Sequence, residues 1–166
     1  MKSILSLILC LFFCGVSAQT DSLSTDVPSI IIKNIEGESV DVSTYAHNGH
    51  LTILCFFATW CKPCYAEFKN FSELLEDWSD AYDVELVGIS TDDARNTAKV
   101  KSTAMGMGWD FDILLDPNGA VQRAMNVVSP PMTMLVDRNG AIVYSHMGYL
   151  EGDEYILEDH IKELVD

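Results

Sequence analysis

Leu51-Thr52-Ile53-Leu54-Cys55-Phe56-Phe57-Ala58-Thr59-Trp60-Cys61-Lys62-Pro63-Cys64 sets two cysteines, two residues apart, just beyond a continuous apolar run. The run from Leu51 to Ala58 mixes β-branched and aromatic residues, which predicts a buried central strand. Pro63 fixes φ and lacks an N–H, which suits the first turn of a helix. Cys61 then lies exposed at a helix start, with backbone N–H groups and the helix dipole aimed at its sulfur. That setting lowers a thiol pKa, and Lys62 acts in the same direction. The spacing suits a reversible dithiol, with Cys61 attacking and Cys64, one turn further in, resolving the mixed disulfide. Half of a zinc site is the other reading of this pair. Zinc takes about four ligands. The remaining thiol near the pair, Cys55, lies in the apolar run, and nothing pairs His47 with His50, so no metal is expected.

Outward from this stretch, Pro63 to Trp78 has helical spacing, with Phe68, Phe71, Leu74, Leu75 and Trp78 recurring at three and four. Ser29 to Lys33 and Ser39 to Val42 read as short strands joined by the turn Glu36-Gly37-Glu38. Val84 to Ser90 reads as a second buried strand, after which Asp92 and Asp93 are expected to cap a helix running to about Met105. Gly106 and Gly108 end that helix. Phe111 to Leu115 is a strand, Asp116-Pro117-Asn118-Gly119 is turn chemistry, and a short helix to about Met125 follows. Met132 to Asp137 and Ala141 to His146 form a hairpin, for which Asn139-Gly140 predicts a type I′ turn. Glu151 to Val165 closes the chain as an amphipathic helix bearing Tyr155, Ile156, Ile161 and Leu164. Strands alternating with helices imply an α/β fold with a parallel core, to which the late hairpin adds antiparallel strands.

The N-terminus has the pattern of a targeting signal. Lys2 gives a positive start, Ile4 to Val16 is an apolar run of thirteen residues, and Val16-Ser17-Ala18 offers a cleavage site after Ala18. Thirteen residues fall short of the ~20 of a membrane span. Lipidation at Cys14 is disfavoured by bulky Phe12 and Phe13 before it. The expected division is a signal peptide at 1–18, a Ser-, Thr- and Asp-rich flexible leader at 19–27 and one domain at 28–166. Loss of Lys2 takes the formal charge from −15 to −16. Such a charge argues against nucleic acid, whose phosphates require Lys and Arg. Of the five cysteines three remain, Cys55, Cys61 and Cys64, which suits one redox pair and one other thiol better than a disulfide framework.

With these residues in place, the chain resembles the thioredoxin-fold thiol-disulfide oxidoreductases of the TlpA/ResA type, in the AhpC/TSA–redoxin superfamily, which work outside the bacterial cytoplasm. The resemblance runs from Val27-Pro28 onward and is most specific at Phe56 to Cys64. It implies a three-layer thioredoxin fold with a mixed central sheet, an N-terminal β-hairpin and an inserted strand and helix. Spacing alone leaves Glu67, three residues after Cys64, between a solvated surface carboxylate, the commoner case, and an acid/base group beside the resolving thiol. The resemblance decides for the second, because Cys64-Tyr65-Ala66-Glu67 matches the family's signature glutamate. It also makes Pro131 the cis-proline facing the disulfide, since X–Pro bonds alone adopt cis readily. Trp60, Lys62, Pro63, Pro130 and Pro131 are then the expected substrate groove.

Three positions depart from the family pattern. Pro130 precedes the expected cis-proline and has no N–H to offer a bound strand. Lys69 stands where a helix-kinking proline is common, so a straighter helix is expected. Cys55 replaces the buried aspartate of thioredoxin, leaving Glu67 more of the proton-accepting role. Cys55 itself reads best as a small buried apolar residue. The resemblance implies a Cys61–Cys64 redox disulfide that reduces disulfides of exported proteins such as apocytochromes c, needs no cofactor and draws electrons from a membrane thiol donor. A disulfide-forming oxidase would use the same residues. A thiol peroxidase is weaker, since such enzymes place a lone cysteine after a Thr- and Pro-containing loop, and a binding module with a purely structural disulfide is a further rival.

Overall fold

Every residue of the strand Leu51–Phe57 is buried, as a strand covered on both faces requires. The computed structural model describes residues 26–165, so the signal-peptide reading and most of the leader lie outside the described residues. The elements are β1 Ile31–Asn34, β2 Ser39–Asp41, β3 Leu51–Phe57, α1 Lys62–Tyr82, β4 Val84–Ser90 and α2 Thr97–Met107. They continue as β5 Asp112–Leu115, α3 Ala120–Ala124, β6 Met132–Val136, β7 Ile142–Met147 and α4 Asp153–Glu163. One seven-stranded sheet runs β2-β1-β5-β4-β3-β6-β7. The strands β3, β4 and β5 are parallel, linked through α1 and α2, whereas β6 and β7 on one side and β1 and β2 on the other pair antiparallel.

The alternation of β3 splits the core in two, because successive strand side chains point to opposite faces. Leu51, Ile53, Cys55 and Phe57 pack with Phe68 and Trp78 of α1, Val100 of α2 and Leu157 of α4. Leu54 and Phe56 pack on the other face with Val121 of α3 and with Val42 and Ala46. Helical elements on both faces of a mixed sheet make the expected three layers. On the first face Phe68 meets Phe57, Trp109 and Phe111 at ring-centroid distances of 5.1, 4.8 and 5.0 Å. Gly88 of β4 makes room for this cluster, since a Cβ there would lie 3.2 Å from Phe57 and 3.3 Å from Phe111.

Several boundaries and caps differ from the sequence reading. Helix α1 continues to Tyr82 and ends at Asp83, which takes a left-handed conformation and donates its N–H to Ser79. No break occurs at Lys69, which pairs with Glu73 at 3.2 Å. A 3₁₀ turn, Val42–Ala46, replaces the end of the second predicted strand, because the Asp41 side chain accepts the Ser43 N–H and turns the chain. Neither Asp92 nor Asp93 caps α2. Asp93 instead accepts the N–H groups of Arg95 and Asn96 in the preceding turn, and the helix starts at Thr97 without a side-chain cap. The β6–β7 turn is not type I′, which requires positive φ at both central residues. Gly140 alone has positive φ there, and Asp137 gathers the N–H groups of Asn139 and Ala141 onto its carboxylate. In α4 the buried apolar residues are Leu157 and Ile161, while Tyr155 and Ile156 face solvent. Asp26 bridges to Ala141 and Val27 is buried, so the last two positions of the predicted leader pair and pack.

Candidate active site

Strand β3 ends at Phe57, and the chain turns through Ala58, Thr59 and Trp60 into α1. The Cys61 N–H donates to the Ala58 carbonyl at 3.0 Å, which closes this turn. Cys61 is the N-cap of α1, and its sulfur accepts the Cys64 N–H at 3.3 Å. Pro63 stands in the first turn, where its missing N–H costs no helical hydrogen bond. A disulfide joins Cys61 to Cys64, with Cα atoms 5.4 Å apart. Cys61 was expected to be exposed. Here it is only 4% exposed against 1% for Cys64, because the closed disulfide tucks both sulfurs against the core. Trp60 projects outward at 68% exposure. Lys62 and Pro63 are exposed beside it.

The turn before the cysteines is held by two side chains, Asp92 and Tyr65. The Asp92 carboxylate accepts the Thr59 N–H at 2.8 Å and the Thr59 hydroxyl at 2.6 Å. Ser90 donates to the same carboxylate at 3.0 Å. The Tyr65 hydroxyl donates to the Thr59 carbonyl at 2.8 Å. Asp92 is buried, and its place just past the end of β4 sets it beside the end of the parallel neighbour β3. Sequence reading assigned it to a helix cap. The signal that separates the two roles is tertiary, namely that β3 and β4 end side by side.

On the opposite flank the Pro130–Pro131 peptide bond is cis. Pro131 is buried, and its carbonyl accepts the Gly148 N–H at 2.8 Å. The antiparallel register sets Met132 opposite Phe56, which brings Pro131 beside the end of β3 from which the Cys61 turn departs. Pro130 is half-buried, and Val128 and Ser129 ahead of it are exposed.

Glu67 lies under the dithiol, on the helical turn after Cys64. The surface position favoured by spacing alone does not hold, for Glu67 is 1% exposed. The Thr133 hydroxyl donates to its Oε1 at 2.5 Å, and among the described residues its Oε2 has no hydrogen-bond partner. Burial pushes the Glu67 pKa up to about 8. The Thr133 hydrogen bond opposes that rise, and the charge of Asp153 adds to it. Cys55 lies directly opposite Thr133 in the β3–β6 ladder, with its sulfur 3.5 Å from the Thr133 hydroxyl. Cys55 is fully buried, and burial followed by the nearby Glu67 charge holds its thiol well above the usual range. Thr133 was missed from sequence. The signal available was a lone hydroxyl between Met132 and Met134 in an otherwise apolar strand. A polar network beside Glu67 ties α1 to α4: Asn70 donates to the Tyr149 hydroxyl at 2.5 Å, and Tyr149 donates to Glu154 at 2.6 Å. Among the described residues no three His, Cys, Asp or Glu side chains gather to hold a metal.

A three-layer fold that presents a Cys-x-x-Cys disulfide at a helix start, flanked by a cis-proline and underlain by a buried glutamate, defines a thioredoxin-fold thiol-disulfide oxidoreductase. Residues 23–145 match the family model described as the AhpC/TSA family, and the chain belongs to that family. It is 23% identical over 142 residues to the thiol-disulfide oxidoreductase ResA of Bacillus thuringiensis subsp. konkukian, covering 86% of this chain and 78% of the relative. It is 27% identical over 140 residues to the sporulation thiol-disulfide oxidoreductase A of Bacillus subtilis, covering 83% of this chain and 82% of that one. Among solved structures, a thioredoxin-like protein from Porphyromonas gingivalis is 45% identical. The match has a TM-score of 0.75 and covers 84% of this chain and 91% of that one.

Proposed function

We propose that this oxidoreductase is exported and reduces disulfides of extracytoplasmic proteins, in the manner of cytochrome c maturation. The observation that carries the reading is the buried Glu67 carboxyl one helical turn beyond Cys64, with a pKa raised to about 8. A carboxyl poised there can take a proton from a thiol near neutral pH, which an ordinary surface glutamate does poorly. In the proposed cycle the Cys61 thiolate attacks the client disulfide and one client cysteine leaves as a thiolate. Glu67 then takes the Cys64 proton, and the Cys64 thiolate attacks the Cys61 sulfur. The second client cysteine leaves as a thiolate, and the Cys61–Cys64 disulfide closes. The client gains two electrons, which a membrane thiol donor restores to the enzyme. Trp60, Lys62, Pro63, Pro130 and Pro131 line the client groove, and Pro130 withholds one backbone N–H from it. No cofactor or metal takes part. Export rests on residues 1–18, and the relatives named as thiol-disulfide oxidoreductases support the chemistry.

The test is a Cys64→Ser variant expressed in cells. It should accumulate in the extracytoplasmic fraction, disulfide-linked through Cys61 to client proteins. A Cys61–Cys64 potential above about −150 mV would overturn the reductase direction in favour of an oxidase. Retention of the chain in the cytoplasm would overturn export.

A further inference from the structure

We propose that Thr133 and Cys55 are positioning residues for proton transfer, forming with Glu67 a reversible hydrogen-bond chain that keeps this carboxyl ready to take a proton from Cys64. The inference rests on the reading of Glu67 as the acceptor of that proton. The chain crosses three elements: Glu67 on α1, Thr133 on β6 and Cys55 on β3. Thr133 Oγ1 lies 2.5 Å from Glu67 Oε1 and 3.5 Å from Cys55 Sγ. All three residues are buried, and among the described residues Thr133 is the one hydrogen-bond partner of the Glu67 carboxyl.

A hydroxyl has one proton to give, and this fixes how the chain works. When Glu67 is a carboxylate, Thr133 must donate to it, and the hydroxyl oxygen is then free to accept the Cys55 S–H. When Glu67 has taken the Cys64 proton, the chain can reverse. Glu67 then donates to Thr133, and Thr133 donates to the Cys55 sulfur. Cys55 suits both directions only as a thiol, and its burial keeps it one. The hydrogen bond to the charged carboxylate is the stronger of the two, so the chain favours the form of Glu67 that accepts a proton, which burial alone would disfavour. An aspartate at position 55 would bring a second charge to this spot, whereas the thiol brings a neutral donor and acceptor.

The other groups that bear on Glu67 belong to other parts of the fold. Asp153 at the start of α4 raises its pKa, and Asp153 is paired with His146 of β7 at 3.2 Å. Tyr149, in the loop before α4, feels the Glu67 charge and is bonded to Asn70 and Glu154. None of these groups donates a hydrogen bond to the Glu67 carboxyl, so the chain can be probed while they stay in place.

The test is a titration of the oxidised protein, in which Cys61 and Cys64 do not ionise. The carboxyl carbon of Glu67 is followed by NMR in 13C-glutamate-labelled protein, with its signal assigned by its loss in Glu67→Gln. Thr133→Val should move the midpoint about one to two pH units alkaline, the size of one hydrogen bond to a charged group. Thr133→Ser should return it to the wild-type value. Cys55→Ala should move it alkaline by less than Thr133→Val does, and Cys55→Ser should leave it in place. An unmoved midpoint in Thr133→Val, or the same shift in Thr133→Ser, overturns the chain. Should Thr133→Val fail to fold, the Cys55→Ala and Cys55→Ser pair decides alone, and equal midpoints in the two overturn the role of Cys55. The rate of client-thiol release from the Cys61 mixed disulfide separates this inference from its premise. If Glu67→Gln leaves that rate unchanged, the acceptor reading of Glu67 fails. If Glu67→Gln slows release while Thr133→Val leaves the midpoint unmoved, only the chain fails.

Discussion

Replacing Glu67 by Gln should make the oxidised protein more stable at neutral and alkaline pH. Burial, the largest cause, raises the Glu67 pKa from 4.5 to about 8 in the folded chain. In the unfolded chain the carboxyl returns to its ordinary value. Because the folded pKa is the higher one, folding takes up a proton between the two values. The favourable contribution of Glu67 is therefore complete below about pH 4.5 and is lost as pH rises through about 8. One pKa unit corresponds to about 1.4 kcal/mol. At pH 7 the cost of burying Glu67 is then about 3 kcal/mol, and it levels off at about 5 kcal/mol above pH 8, where the folded carboxyl ionises. At 1% exposure the side chain leaves little room for solvent screening to reduce this. Gln has nearly the same shape, keeps an oxygen for the Thr133 hydroxyl and never ionises. The assay is urea unfolding of the disulfide form of both proteins, at intervals from about pH 4 to about pH 9, followed by tryptophan fluorescence. The two stabilities should be close near pH 4, diverge through neutrality and run parallel above about pH 8. A gap of constant size across that range, or a Gln variant less stable at about pH 8, would refute burial of a titrating carboxyl as its source.

Asp92→Ala removes the acceptor of two Thr59 hydrogen bonds and one from Ser90, and should cost about 2–4 kcal/mol in chemical denaturation. Asp92→Asn, which keeps one oxygen, should cost less. Phe68→Ala empties the centre of the aromatic cluster of Phe57, Trp109 and Phe111, and should cost about 3–5 kcal/mol, read as a lower urea midpoint. Gly88→Ala pushes a methyl against Phe57 and Phe111 and should cost about 1–3 kcal/mol, read by thermal unfolding. An unchanged melting temperature there would mean that the aromatic rings give way freely.

The central strand and the long helix were legible because their signals are local and repeated. An unbroken apolar run can be satisfied only between two layers, and the periodicity from Phe68 to Trp78 matches the face that α1 buries. Turn geometry and caps were less legible. Asp92 and Asn139-Gly140 have local preferences that the tertiary structure overrides, Asp92 by its contact with Thr59 and the hairpin turn by the hold of Asp137 on two N–H groups. Tyr155 and Ile156, apolar residues of the closing helix, stay exposed because a short helix leaves apolar side chains on its outer face at small cost.

Sequence by itself determined the α/β class, the dithiol and the candidate residues around it, because Cys-x-x-Cys at a strand-to-helix turn and the order of the strands are written along the chain. Spacing alone favours a solvated surface for Glu67, and the family resemblance overturned that without saying what surrounds the carboxyl. Only the packing of α1 on β3 and β6 decided that. Burial depends on what covers a side chain, and the covering residues, Cys55 and Thr133, lie 12 and 66 positions away in sequence. The same packing brings Cys55 into contact with the network around Glu67, because the register of β3 on β6 sets it opposite Thr133, which among the described residues is the one hydroxyl bonded to Glu67.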